Sequence, residues 1–184
     1  HKNVLHPRML SGHIQGKILE MFTHMIHPQR ILEIGTYTGY ATICMARALP
    51  RDGFLHTIER DDELEHFIQH YLTKAGVTEK TKLHIGKAQD IIPSLNETFD
   101  FIFIDGDKRE YPEYLALSKK YLKTGGFIIA DNVLWNGKVT EIPEKKDKHT
   151  QGIQLFNEQV KNDRALSQVI FPLRDGLMVI KKTG

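Results

Sequence analysis

Four side chains able to do chemistry follow two apolar, strand-like segments: Asp105 and Lys108 come after Phe99 to Ile104, and Asp131 with Asn132 after Phe127 to Ala130. Asp105, Asp131 and Asn132 offer oxygen alone, without Cys or His, which suits a hard divalent cation. Mg²⁺ fits first, with Ca²⁺ or Mn²⁺ next, and water and substrate oxygens completing the sphere. Lys108 can reach over the same spot, where desolvation and a nearby dication favour its neutral form and so a general base. A hydroxyl bound to the cation loses its proton more readily for the same electrostatic reason. Each motif taken alone also reads as turn chemistry. Asp-Gly-Asp and Asp-Asn commonly end strands, and a lysine at a helix start is commonly solvated.

A second constellation precedes it. In Ile31-Leu32-Glu33-Ile34-Gly35-Thr36-Tyr37-Thr38-Gly39-Tyr40 a strand runs into a glycine-bearing turn that opens a helix, the place where open α/β sheets bind ligands. The dinucleotide fingerprint G-x-G-x-x-G fails, because Tyr37 and Tyr40 stand where its second and third glycines belong. A P-loop fails too, since Gly39 is followed by Tyr40-Ala41. The turn therefore favours a nucleoside carrying an amino acid over a pyrophosphate. Glu59 ends the second strand-like segment, where a carboxylate can accept from both ribose hydroxyls. Glu33 lies inside an apolar strand and is costly to bury unless it meets a donor such as a ligand ammonium. The plainer alternative is an ordinary βαβ turn with Glu59 as a helix-entry charge beside Asp61.

These residues need a scaffold. Strand-like segments at Arg30 to Ile34, Phe54 to Ile58, Lys82 to Ile85, Phe99 to Ile104 and Phe127 to Ala130 alternate with amphipathic stretches. The stretches are Tyr40 to Leu49, Asp61 to Ala75, Tyr111 to Leu122 and, more weakly, Ile153 to Val160. Alternation of this kind predicts an α/β fold with a mostly parallel, doubly wound sheet and helices on both faces. After Asn132 come the polar stretch Asn136 to Gln151, a helix, and two strands, Gln168 to Phe171 and Leu177 to Lys182, which read as an antiparallel hairpin. About seven strands with their helices account for the 184 residues as a single domain spanning 1–184.

Composition removes several classes. Hydrophobic residues at 40% and charged residues at 26% describe a folded chain rather than a disordered one. A formal charge of +2 does not demand a nucleic-acid partner. The single cysteine, Cys44, excludes an internal disulfide and a multi-cysteine metal site, and reads as core. No apolar run approaches the ~18 residues of a membrane span, and no signal-peptide core is present, so the expectation is a cytoplasmic protein with no membrane partner. Position 1 is His, which leaves room for a missing N-terminal segment.

The ordered set of motifs resembles the small metal-dependent S-adenosylmethionine O-methyltransferases related to catechol and caffeoyl-CoA O-methyltransferases. Beyond the glycine turn, the resemblance rests on Met9-Leu10-Ser11-Gly12, Gly86-Lys87-Ala88-Gln89-Asp90 and Phe101-Ile102-Phe103-Ile104-Asp105-Gly106-Asp107-Lys108. It continues through Asp131-Asn132-Val133-Leu134-Trp135-Asn136 and Pro172-Leu173-Arg174-Asp175-Gly176-Leu177. It implies a Rossmann-like methyltransferase fold and S-adenosyl-L-methionine as cofactor. Glu33, Gly35 and Thr36 would hold the methionine end, Glu59 the ribose, and Ala88 with Gln89 the adenine. Met9 and Leu10 would close over the cofactor, with Tyr40, Ala41, Asp105 and Asp107 beside it. Asp105, Asp131 and Asn132 become the metal set, Lys108 the catalytic base and acceptor contact, and Trp135 and Asn136 the acceptor wall. Trp135 reads alternatively as core, and Asn136 as a turn residue with Gly137.

Two departures stand out. Ala41 takes the place of a serine common near the cofactor carboxylate, and Gly106-Asp107 replaces the bulkier pair of the animal catechol enzyme. The implied acceptor is a phenolic small molecule of catechol or hydroxycinnamoyl type. The alternative within the family is 5-hydroxyuridine of tRNA, for which Lys138, Lys145, Lys146 and Lys148 could supply phosphate contacts. The resemblance also implies a homodimer and an additional N-terminal helix at the acceptor side.

Overall fold

The computed structural model describes residues 12–184. Seven strands form one sheet in the order β3-β2-β1-β4-β5-β7-β6. They are β1 (Arg30–Ile34), β2 (Phe54–Glu59), β3 (Thr81–Ile85), β4 (Phe99–Ile104), β5 (Leu122–Ala130), β6 (Leu166–Phe171) and β7 (Leu177–Lys182). The first five pair in parallel, and β7 runs antiparallel to both β5 and β6. The helices are α1 (His13–Ile26), α2 (Tyr40–Ala48), α3 (Glu65–Lys74), α4 (Ala88–Leu95), α5 (Tyr111–Tyr121) and α6 (Lys148–Asn162). Among the described residues none is long and apolar enough to cross a membrane.

Strand alternation explains the layers, because successive side chains point to opposite faces. Ile102 and Ile104 of β4 join Leu32, Ile128 and Ile180 under Ile92 of α4, Tyr111 and Leu115 of α5, and Phe156 of α6. Phe101 and Phe103 face the other way, toward Ile31, Leu55 and Ile129, where Leu19 of α1 and Met45 of α2 cover them. Both faces are therefore buried, as near-continuous apolar strands require.

The hairpin and the parallel strands agree with the sequence reading, which left out two helices, α1 and α4, and began α6 and β5 too late. The pattern did not mark α1, because of its buried residues Gln15, Gly16, Leu19 and Thr23 only Leu19 carries a large apolar side chain. Gly16 sits there because a Cβ would stand 2.6 Å from the Tyr40 ring and 2.8 Å from Cys44 Sγ, so only glycine lets α1 lie this close to α2. The eight-residue α4 contains Pro93, which masked its period. α6 starts at Lys148, within the stretch read as polar, because the Asp147 side chain accepts from Thr150 N at 3.1 Å and caps it. β5 begins at Leu122, with an irregular register opposite Phe99 and Phe101.

Candidate active site

Strand order reverses between β1 and β4, so their C-terminal ends border a crevice. Asp105 N donates to Ile34 O at 2.8 Å, which draws the two ends together, while Gly35 N donates to Ile58 O at 2.9 Å and ties the turn to β2. A Cβ at position 35 would lie 2.3 Å from Asp105 O, and the residue has φ +97. We expect Gly35→Ala to lower the melting temperature by several degrees. Left-handed backbone alone costs about 1–2 kcal/mol, a kcal/mol moves a domain of this size by roughly 2–4 °C, and the clash adds to that. Calorimetry checks this, and an unchanged melting temperature would refute the close-approach account. A small cleft beside the turn is lined by Gly35, Thr36, Tyr37, Thr38, Tyr40, Ala41 and Asp105.

Glu33 is fully buried on β1. Its Oε2 accepts from Thr57 Oγ1 at 2.6 Å and from Thr42 Oγ1. Because Thr57 spends its proton on Glu33, it must accept from Thr36, so the chain of hydroxyls runs Thr36 to Thr57 to Glu33. Glu33 Oε1 is buried without a partner. Burial pushes the Glu33 carboxyl up to about 8, with the Asp105 and Glu59 charges adding to the rise and the two threonines opposing it. The folded chain then holds a proton that the unfolded chain releases near the ordinary glutamate value, so stability falls as pH rises toward about 8. Asp105, raised to about 6 mainly by burial, acts in the same direction at lower pH. Between pH 7 and 8 the slope belongs chiefly to Glu33, because Cys44, whose thiol burial also raises, adds the same sign only nearer pH 9. Without cofactor the melting temperature should drop across that window, and Glu33→Gln should flatten the drop. Parallel slopes for the two proteins would overturn the assignment.

Glu59, at the end of β2, accepts from Tyr37 N at 2.7 Å through Oε2, and from Arg60 N and Asp61 N at 2.8 and 3.0 Å through Oε1. It thus organises the glycine turn and its own strand end, and retains lone pairs for a further donor. Ala88 is buried at the start of α4. The neighbouring Gln89 donates to Glu113 at 2.8 Å and Glu110 at 3.1 Å, leaving its Oε1 buried without a partner. Met9 and Leu10 lie outside the described residues.

Asp105 and Asp131 leave adjacent strands just beyond the Ile104 and Ala130 pair. Asp131 raises the Asp105 carboxyl further, while Lys108 lowers it. Lys108 is 7% exposed, and its Nζ donates to Asp105 Oδ1 at 2.9 Å and to Tyr111 Oη at 2.7 Å. The reading of Lys108 as a solvated helix-start residue is therefore corrected: it is buried in a short turn, Lys108–Glu110. Tyr111 donates onward to Asp131 O at 2.9 Å, and burial pushes its hydroxyl well above the usual tyrosine range, so it stays neutral. Asp131 Oδ1 accepts from Asn132 N at 2.8 Å, and Asn132 has φ +59, a backbone that asparagine tolerates. The turn role of Asp-Asn is real and leaves the Asn132 amide oxygen available. Among the described residues no three His, Cys, Asp or Glu side chains converge as a metal cage. Two carboxylates and an amide at a sheet edge suit a cation that keeps water and substrate oxygens.

Trp135 is half-buried, packed at the margin of the core and stacked on His149 with ring centroids 6.1 Å apart. Asn136 is exposed, with N donating to Asp175 at 2.6 Å, so its turn role is plain. The Asp107 carboxylate is gripped by Arg109, whose Nε donates at 2.9 Å, and lies 3.7 Å from His149 Nε2. Arg109 holds that carboxyl below its ordinary range. The sequence reading missed Thr42, Thr57, Tyr111, His149 and Gln15. Thr57 was findable, since a threonine in an apolar strand pairs in register with Glu33.

The profile of the O-methyltransferase family matches residues 1–183. The chain is 38% identical over 163 residues to the catechol O-methyltransferase of Niastella koreensis, covering 86% of this chain and 73% of that one. It is 30% identical over 178 residues to the caffeoyl-CoA O-methyltransferase of Populus kitakamiensis, covering 91% and 76%. Among solved structures, the O-methyltransferase TomG of Streptomyces achromogenes, in complex with S-adenosylmethionine, superposes with a TM-score of 0.92. That match has 34% identity and covers 97% of this chain and 83% of TomG.

Proposed function

Because this chain belongs to the O-methyltransferase family, we propose that its strand-end site moves a methyl group from S-adenosylmethionine to a hydroxyl of a catechol-like or hydroxycinnamoyl small molecule, assisted by a divalent cation. One observation carries the reading. A buried lysine, held at 2.9 Å by Asp105 and 2.7 Å by Tyr111, stands beside a second carboxylate at the sheet edge that also carries the glycine turn.

The residues fit the methyl donor. The unpartnered Glu33 Oε1 is buried and, once the carboxyl gives up its proton to the site's new positive charge, accepts from the ammonium of the methionine end, and the unpartnered Gln89 Oε1 is an acceptor for the adenine amino group. Gly35 and Thr36 shape the turn between them, with Ala88 packing the base and Glu59 receiving ribose hydroxyls. S-adenosylmethionine supplies an electrophilic methyl on sulfonium and leaves as S-adenosylhomocysteine. Asp105, Asp131 and Asn132 would hold Mg²⁺, which lowers the pKa of a coordinated hydroxyl.

The remaining work falls to side chains of this protein. Lys108, as the base, takes the proton of the acceptor hydroxyl at Nζ, and Tyr111 keeps that nitrogen aimed by accepting from it. Lys108 and Asp131 are buried, and the exclusion of water around them strengthens each interaction inside. Orientation of the acceptor against the donor then accounts for much of the rate. Trp135, stacked on His149, offers a flat wall suited to an aryl ring. Gly106-Asp107, with Asp107 tied to Arg109, leaves the wall beside Lys108 more polar than a bulky pair would.

A methyl-transfer assay over vicinal diols, hydroxycinnamoyl thioesters and unmodified tRNA, with and without Mg²⁺, tests this reading. Methylation of small vicinal diols that requires Mg²⁺ is the expected result. Transfer to tRNA alone would overturn the acceptor class.

A further inference from the structure

Gln15 has no part in the chemistry above, yet it is 1% exposed and spends its amide on two distant charged residues. Its Nε2 donates to Asp131 Oδ2 at 2.7 Å, and its Oε1 accepts from Arg174 Nη1 at 3.1 Å. A guanidinium only donates and a carboxylate only accepts, so the amide can stand only this way round. We propose that Gln15 is a positioning residue for Asp131, setting the direction in which that carboxylate presents its remaining lone pairs to a divalent cation.

Asp131 is held from both sides. Oδ1 takes Asn132 N at 2.8 Å, so Gln15 supplies the second constraint, on the other oxygen. Gln15 is itself braced. Arg174 belongs to the turn between β6 and β7, and carbonyls of that turn accept from Val133 N at 3.1 Å and Leu134 N at 3.0 Å, directly after Asp131 and Asn132. Three pieces of chain far apart in sequence are thus joined through the Gln15 amide: the first turn of α1, the end of β5 and the β6–β7 turn. A side chain needed for packing alone would be apolar, since a buried amide costs free energy unless both ends are bonded. Outer partners that orient a metal ligand typically govern 10- to 100-fold in metal affinity.

The inference rests on the cation reading above, and the test separates the two. Mn²⁺ is titrated into the full chain, and free Mn²⁺ is followed by electron paramagnetic resonance for wild type, Gln15→Leu and Gln15→Asn. Thermal melting is recorded alongside. Gln15→Leu keeps the volume without the donor, and Gln15→Asn keeps the amide on a stem too short to span both partners. Both variants should bind Mn²⁺ roughly ten-fold or more weakly. Should Gln15→Leu fail to fold, Gln15→Asn decides. A folded variant with a lowered melting temperature and wild-type Mn²⁺ affinity would show a purely structural residue and overturn the proposal. Wild type that binds no Mn²⁺ would sink the cation reading, and this inference with it.

Discussion

Replacing Lys108 with alanine should lower kcat by about 10²- to 10⁴-fold, the range of a lost general base, while S-adenosylmethionine affinity stays near that of wild type. The split follows from the contacts. Lys108 Nζ donates to Asp105 and Tyr111 and lies 4.7 Å from the Tyr111 ring centroid, and none of its bonds goes to Glu33, Glu59 or Gln89. Alanine also leaves Asp105 Oδ1 and Tyr111 Oη without their donor, so some loss of stability accompanies the loss of rate. Lys108→Arg separates the two effects, because it retains length and donors for Asp105 and Tyr111 but cannot accept a proton at neutral pH. Arginine should therefore fold and remain slow. Isothermal titration with the cofactor, next to steady-state kinetics at saturating cofactor, reads both quantities. A variant whose cofactor affinity collapses while kcat persists would reassign Lys108 to binding.

The second large effect belongs to Asp131. Chelation with EDTA should reduce wild-type turnover at least about 100-fold, with recovery on adding Mg²⁺, if the oxyanion depends on the cation. Asp131→Asn should begin near that low level and respond little to EDTA. Asparagine is the better variant here because it keeps the shape and one acceptor oxygen for Gln15 Nε2 or Asn132 N, whereas alanine would leave both donors buried and unpaired. Full activity of the variant, or wild-type turnover indifferent to EDTA, would contradict the cation mechanism.

Much of the fold was legible because its signals are local. Apolar five- and six-residue segments separated by helical periods force a covered parallel sheet, and strand ends followed by Gly35, Glu59, Asp105 and Asp131 must share one edge once the strands run parallel. The helix α1 was not legible, since its buried face carries Gln15, Gly16 and Thr23, whose fitness depends on α2, Asp131 and Arg174. Thr42 and Thr57 likewise become informative only beside Glu33. For Trp135 the sequence allowed core or wall, and it proves half of each, packed at the core margin on one side and stacked on His149 on the other.

Sequence alone determined which groups could do chemistry and on which sheet edge they would gather, because residue type and strand period are properties of short segments. It also excluded the dinucleotide and P-loop turns by the positions of Tyr37 and Tyr40. Only the tertiary structure decided how those groups are tuned. Burial turns Glu33 into a carboxyl that holds its proton, Tyr111 fixes where Lys108 points, and Gln15 reaches Asp131 across most of the chain. Desolvation and hydrogen-bond partnership depend on every element that closes over a residue, and no window of sequence contains them.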